Sequence, residues 1–338
     1  MWDIIKLVVP YAIAYTIPLM ITSLGGLFSE RGGIINIGLE GLMVVGFFTS
    51  AVTIITFQSA IPNLPSVIAL VDSPDKQVAL IRTLNSLSVW VGLLAGALSG
   101  IIFSLLHAFA SINLNANQVI SGTAINMIAA AITVYLARTI TGSGNITIQS
   151  GLSRTDIPLL SKIPIVGPLL FSNAYASTWL ILGILFLSWF ILYKTSFGLR
   201  LRACGEHPYA AASAGINVYK MRYIAVMISG AFSGLGGAVI LVTYSGEFNG
   251  SVAGLGFLAL AALIFGQWKP IGVLGATFFF GTAVTIANIS QVIPELGVIP
   301  PLFLKIFPYV VTLIALIAFS KSSQAPKAEG ELFDLGKN

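Results

Sequence analysis

The sequence predicts an all-α fold, a polytopic transmembrane helix bundle of about nine spans. Three observations carry this. Of 338 residues, 56% are hydrophobic and only 9% charged, with a mean hydropathy of +0.93, whereas a soluble domain is about one-quarter charged. Apolar runs close to the ~20 residues that cross a bilayer recur along the whole chain. The charges gather between those runs, most densely from Lys194 to Arg222, where five cations oppose the single acid Glu206. That loop carries nearly all of the formal net charge of +5.

The first span is Ile4 to Phe28, interrupted by Pro10 and Pro18. No small-residue cleavage site follows a short apolar core, so the segment is expected to stay as a span rather than leave as a signal peptide. Ser29 to Gly41 (SERGGIINIGLEG) breaks the apolar run. Glu30 and Arg31 read as a wet turn. Asn36 and Glu40 read as a polar face towards a protein interface or a water-filled path, because a charge at a helix centre costs about 2.5–3.5 kcal/mol on insertion scales. The second span runs to Phe57, and Gln58 to Ser88 reads as a long connection. The third, Val89 to Phe109, carries Gly92, Gly96 and Gly100 on one face, a spacing that lets helices approach closely. The fourth, Asn115 to Arg138, opens with the polar Asn117, Gln118, Ser121 and Asn126, which suit a bundle interior through either close packing or substrate contact.

Thr139 to Tyr175, rich in Gly, Ser and Pro, is a second connection, and Ala176 to Tyr193 is the fifth span. After the basic loop come a sixth span, Tyr223 to Tyr244, with Gly230 and Gly234 four apart, and a short apolar stretch, Leu255 to Phe265, which is either a span or re-entrant. The eighth and ninth are Ile271 to Ile289 and Leu302 to Phe319. Residues 1–320 thus form one transmembrane domain, and Lys321 to Asn338 reads as a flexible cytoplasmic tail. Placing Lys194–Arg222 in the cytoplasm puts the N-terminus outside and the C-terminus inside, with ten Lys and Arg inside and seven outside. Gly32–Phe48 and Gly250–Phe265 are both short, apolar and led by glycine, one in each half, a pairing that points to a transport site at a repeat interface.

Chemistry is absent in an informative way. There is no GxxxxGK[ST], no HExxH and no Gly-x-Ser-x-Gly elbow with partners, and the lone Cys204 and the distant His107 and His207 make no metal site. No catalytic residue, metal or cofactor is expected, and passage of a solute across the membrane is the default. A proton-coupled transporter would need ionisable groups within its spans, and Glu40 is the main candidate. A permease driven by a separate ATPase needs instead a cytoplasmic docking surface. The basic loop offers one: Pro208 suits a first helical position, Tyr209 to Ala214 continue a short helix, and Gly215 suits its stop. A surface helix without a partner is the alternative.

The stretch GLRLRACGEHPYAAASAGINVYKMR resembles the coupling loop of ABC importer permeases of the branched-chain amino acid, ribose and nucleoside superfamily. The Gly-x-x-x-x-Ala-x-x-x-Gly-Ile core of those loops is approximately matched by Gly205, Ala210, Ala214 or its neighbours, Gly215 and Ile216, with Glu206, Pro208 and Ala211 alongside. GGLFSERGGIINIGLEGLM and NANQVISGTAIN are similar to the nucleoside-uptake branch. The resemblance implies a permease of the bacterial plasma membrane. Its implied partners are a cytoplasmic ATP-binding subunit, a second related permease, an extracytoplasmic substrate-binding lipoprotein and a nucleoside, with no nucleic acid. Asn36, Glu40, Asn117, Gln118 and Asn126 are the residues expected along its path. Ribose-like sugars or branched-chain amino acids are the alternative substrates.

Overall fold

The chain enters the bundle as Trp2–Arg31 (α1), 30 residues that accommodate both Pro10 and Pro18. In this computed structural model residues 2–61, 73–289, 303, 306–307, 310, 314 and 324–334 are described. Seven helices among them are long and apolar enough to cross a membrane. The expected ninth span, 302–319, lies outside the described residues apart from 303, 306–307, 310 and 314.

After α1 come Leu39–Ala60 (α2), Pro74–Ala108 (α3), Gln118–Thr141 (α4) and Ala176–Lys194 (α5). Two short helices follow, Ser196–Glu206 (α6) and Pro208–Ser213 (α7), then Val218–Ile240 (α8), Leu255–Phe265 (α9) and Pro270–Ile289 (α10). Single π-helical turns extend α3 over Phe109–Asn113 and α8 over Leu241–Ser245. Two small antiparallel strand pairs tie the loops at one end. Ile146–Thr147 (β1) pairs with Glu247–Phe248 (β4), and Arg154–Thr155 (β2) pairs with Ala174–Tyr175 (β3).

α3 corrects the reading of Gln58–Ser88 as a connection: residues 74–88 are helical. Asp75, Lys76 and Arg82 lower the hydropathy there, but Ala, Leu, Gln, Lys and Arg are good helix formers. With 35 residues α3 is about 52 Å long, so it outruns a hydrocarbon core of about 30 Å.

α8 is the central helix. It packs on α1, α2 and α3, and every residue from Ser233 to Val242 is buried. Such enclosure requires small side chains. The glycine rows expected on two spans face each other: a Cβ on Gly100 of α3 would lie 2.1 Å from the Gly230 carbonyl oxygen, and one on Gly234 of α8 would lie 2.3 Å from that of Gly96. The backbones touch, as small-xxx-small packing requires. The outer faces of α3, α4 and α5 instead expose Leu98, Ile102, Ile120, Met127 and Phe186, which suits a chain solvated by lipid.

Residues 246–268 run from the bundle end carrying the β1–β4 pair to the opposite end, where the Trp268 carbonyl meets Arg31. α9 supplies only about 16 Å of that distance, since it has 11 residues. The remainder is the non-helical stretch 246–254, in which Gly246, Gly250, Ala253 and Gly254 all have positive φ.

Candidate functional site

The break between α1 and α2 leaves largely buried backbone groups without helical partners, and an unmet buried polar group is costly. Polar side chains from neighbouring helices meet them. Gln118 Oε1 accepts from the Ile35 amide (2.7 Å), and His107 Nε2 lies 3.0 Å from the Ile35 carbonyl. Asn126 accepts from the Gly41 amide (2.7 Å) and donates to the Ile37 carbonyl (3.0 Å). Asn36 accepts from the Gly38 amide and donates to Ser229 Oγ of α8 (2.9 Å). Glu40 reaches across to the start of α9, where Oε1 accepts from the Gly254 amide (2.9 Å) and Oε2 from the Gly256 amide (2.6 Å).

Four of the five polar residues expected along the path therefore converge on one break. Asn117 stands apart and caps α4, accepting from the Val119 and Ile120 amides. Of the two settings weighed from sequence for Asn36 and Glu40, a protein interface is the one in which their side chains sit. The two Gly-led segments also meet, because a Cβ on Gly256 would lie 2.5 Å from the backbone of Glu40.

At the other candidate site, α6 starts on Thr195, whose Oγ1 accepts from the Gly198 amide, and α7 begins with Pro208 at its first turn. Gly215 closes α7 with φ of +79°, and Asn217 caps α8 by accepting from the Lys220 amide (2.9 Å). Glu206, Ala210, Ala214 and Gly215 are exposed, Ile216 is half-buried, and Gly205, Pro208 and Ala211 point inward. Gly205 is held by packing: a Cβ there would lie 2.4 Å from the Arg31 carbonyl oxygen. Nothing stands within 4 Å of a Cβ placed on Gly215. Apart from Glu206 at its start and Ile216 at its end, the exposed row is thus a smooth strip of small residues.

Three sequence expectations fail beside this strip. Glu30 and Arg31 do not form a wet turn. Glu30 is 4% exposed and accepts from the Trp268 indole N–H, while Arg31 donates to the Trp268 carbonyl (2.8 Å) and lies 3.7 Å from Glu206. Nor is the tail free over 324–334. The Ala328 amide donates to the Gly205 carbonyl (2.9 Å), and that of Gly330 to the Gly33 carbonyl (3.2 Å). Phe333 sits between the Tyr209 and Tyr219 rings, with centroids 5.1 and 5.2 Å away. Arg222, expected in water, is buried, donates to the Glu331 carbonyl and lies over Phe333. The tail has no apolar periodicity, so one aromatic anchor and a few backbone bonds escape a pattern search.

A glycine-coupled break inside the bundle, beside a short helix rich in small residues, suits a transport subunit driven from outside the chain. The family model for the branched-chain amino acid transport system / permease component matches residues 9–316. The chain belongs to that family. The guanosine ABC transporter permease protein NupQ of Bacillus subtilis is 44% identical over 99% of this chain and 98% of its own length. The nucleoside ABC transporter permease protein NupC of Lactococcus lactis is 40% identical over 96% of each chain. A further Bacillus subtilis protein, the guanosine ABC transporter permease protein NupP, is 28% identical over 78% of this chain and 69% of its own. No solved structure matches.

This permease is a multi-pass membrane protein that works with a separate ATPase and a substrate-binding partner, and it is not itself an enzyme. Sequence reasoning missed Ser229 as a partner of the α1–α2 break, and Trp268 and Phe333 as builders of the end that holds α6 and α7. The first two carried a weak signal, since an indole and a hydroxyl buried in a membrane protein both need polar partners.

Proposed function

We propose that the chain is the permease subunit of an ABC importer that moves nucleosides into the cell. The observation carrying this is the near-full-length similarity to two permeases named for guanosine and nucleosides, at 44% and 40% identity. The exposed strip Glu206, Ala210, Ala214, Gly215 and Ile216 receives the ATPase, with Gly205, Pro208 and Ala211 setting the backbone beneath it. Asn36, Glu40, Gln118 and Asn126 border the path by holding the α1–α2 break, and Asn117 fixes the start of α4 next to it. A second, related permease completes the pore. Similarity to both NupQ and NupP, two guanosine permeases of one organism, supports such a pairing. A lipoprotein delivers substrate from outside.

Uptake of radiolabelled guanosine, uridine, ribose and leucine by cells expressing the whole transporter tests the reading. Nucleoside uptake that stops when the ATPase is inactivated is expected. Uptake confined to ribose or leucine would overturn the substrate, and uptake that persists and follows the proton gradient would overturn the class.

A further inference from the structure

A cavity of about 440 Å³ lies inside the bundle, between Tyr15 of α1, Phe47 of α2, Tyr244 at the end of α8, the loop before α9, and Asn288 of α10. Its volume falls within the range of about 300–1,000 Å³ typical of small-molecule pockets. Asn249 and Ser251 stand exposed in that loop, at the bundle end that carries the β1–β4 pair.

The lining chooses among ligand classes. Among the described residues it holds aromatic rings, amides, hydroxyls and aliphatic groups, and no acidic or basic side chain. An amino acid brings two charges and a nucleotide at least one, and an uncompensated charge within a membrane protein is expensive. The positive end of α9 adjoins the cavity through Leu255 and would otherwise attract an anion. Glu40 already occupies it, taking the Gly254 and Gly256 amides. Among the described residues the cavity is therefore neutral in its side chains, and the start of α9 is not left free for an anion.

The aromatic part offers a wall against which a planar group can pack, formed by rings that already pack on each other. The Tyr15 and Tyr244 ring centroids are 4.4 Å apart with the planes inclined by 38°, and Phe47 adds a third ring to the wall. Base–aromatic stacking contributes about 1–3 kcal/mol per base. Asn288 lines the same wall as Tyr15, which places one amide beside the rings. Asn249 brings a second from the mouth.

We propose that this cavity is a nucleoside-binding site on the transport route, with Tyr15 and Tyr244 stacking on the base and Asn249 and Asn288 reading its polar edge. The proposal rests on the nucleoside reading above, and it adds a site within the permease that discriminates neutral nucleosides from their phosphates and from amino acids.

Native transporter complexes in proteoliposomes test it. Ser251→Cys is introduced together with Cys204→Ser, and labelling by a small polar thiol reagent is timed with and without saturating guanosine, guanosine monophosphate or leucine. Guanosine is expected to slow labelling at least several-fold, and the other two to leave it unchanged. Asn288→Ala is expected to raise the uptake KM about tenfold, the equivalent of ~1.4 kcal/mol. Labelling indifferent to guanosine, with wild-type KM and base preference in Asn288→Ala and Asn249→Ala, would overturn the site while wild-type guanosine uptake leaves the substrate reading standing. Absence of nucleoside uptake by the wild-type complex would instead sink the substrate reading. If Asn288→Ala fails to assemble, the Ser251→Cys protection decides, since Ser251 is exposed at the rim.

Discussion

Glu40 holds the start of α9 with both oxygens, and a hydrogen bond to a charged group contributes about 1.5–3 kcal/mol. Glu40→Gln keeps the shape but turns one acceptor into a donor aimed at a backbone N–H. We expect a loss of about 2 kcal/mol or more, seen as a lower unfolding temperature of the purified complex and faster proteolysis of 246–254; an unchanged melting curve would remove Glu40 as the link between the two breaks. Gly230 makes a sharper case. A Cβ there would meet the Gly100 carbonyl oxygen at 2.4 Å, whereas one on Gly183 meets nothing within 4 Å. Gly230→Ala is expected to abolish stable insertion, and Gly183→Ala to leave expression and melting as they are. That contrast was half legible from sequence. The spacing of Gly92, Gly96 and Gly100 and of Gly230 and Gly234 announced two close-packing faces, but only coordinates pair one with the other. The polar Asn36, Gln118 and Asn126 likewise announced an interior. That they serve the backbone of a broken segment was not legible, because their partners are main-chain groups common to every sequence.

The tail over 324–334 behaves as an element although it has no regular structure. Phe333 is 2% exposed, and truncating a buried Phe to Ala costs about 3–5 kcal/mol, more than the few backbone bonds beside it are expected to supply. Phe333→Ala is therefore expected to release the tail, read as new protease cleavage within 324–334; cleavage no faster than wild type would assign the docking to the backbone bonds instead. Docking should also depend on pH. Burial raises the Glu329 pKa above the ordinary carboxylate value, and the hydrogen bond with Glu30 and the charge of Arg31 offset this only in part. The docked tail thus holds its proton more tightly than the free tail does. Its stabilisation is complete below the ordinary carboxylate pKa of about 4.3 and is lost as pH rises through the raised value. Cleavage within 324–334 is expected to quicken as pH rises over that window in the wild type and to be flatter in Glu329→Gln; identical profiles would show that Glu30, Arg31 and Glu206 set the dependence without Glu329. The short helix α7 lay open to sequence reading because Pro208 and Gly215 mark its ends chemically. The tail carries no such punctuation.

The two ends of the bundle are built from different materials, and this bears on orientation. One end holds α6, α7, Arg31, Trp268 and the docked tail; the other holds the strand pairs and the loop 142–145. From the excess of Lys and Arg in 194–222 we propose that the first end faces the cytoplasm. Because residues 246–268 pass from one end to the other, α9 and its preceding loop together act as a crossing although α9 is too short to be one. Parity is left open in the sequence by Leu255–Phe265; Lys327 lies next to Ala328, which bonds to Gly205, and on that contact we propose that the tail shares a side of the membrane with α7. Single cysteines in the Cys204→Ser background read this out directly, and the native thiol is buried, with its pKa raised by that burial against the pull of Arg222. Ala210→Cys and Lys327→Cys are expected to react with an impermeant reagent only in inside-out vesicles, and Asn145→Cys only in right-side-out vesicles, all three positions being exposed. Labelling of Ala210→Cys from the outside would invert the molecule, moving the small-residue strip away from any cytoplasmic ATPase and with it the coupling role. Labelling of Lys327→Cys and Ala210→Cys from opposite sides would instead break the link between tail and α7 and reopen the parity of the last crossings.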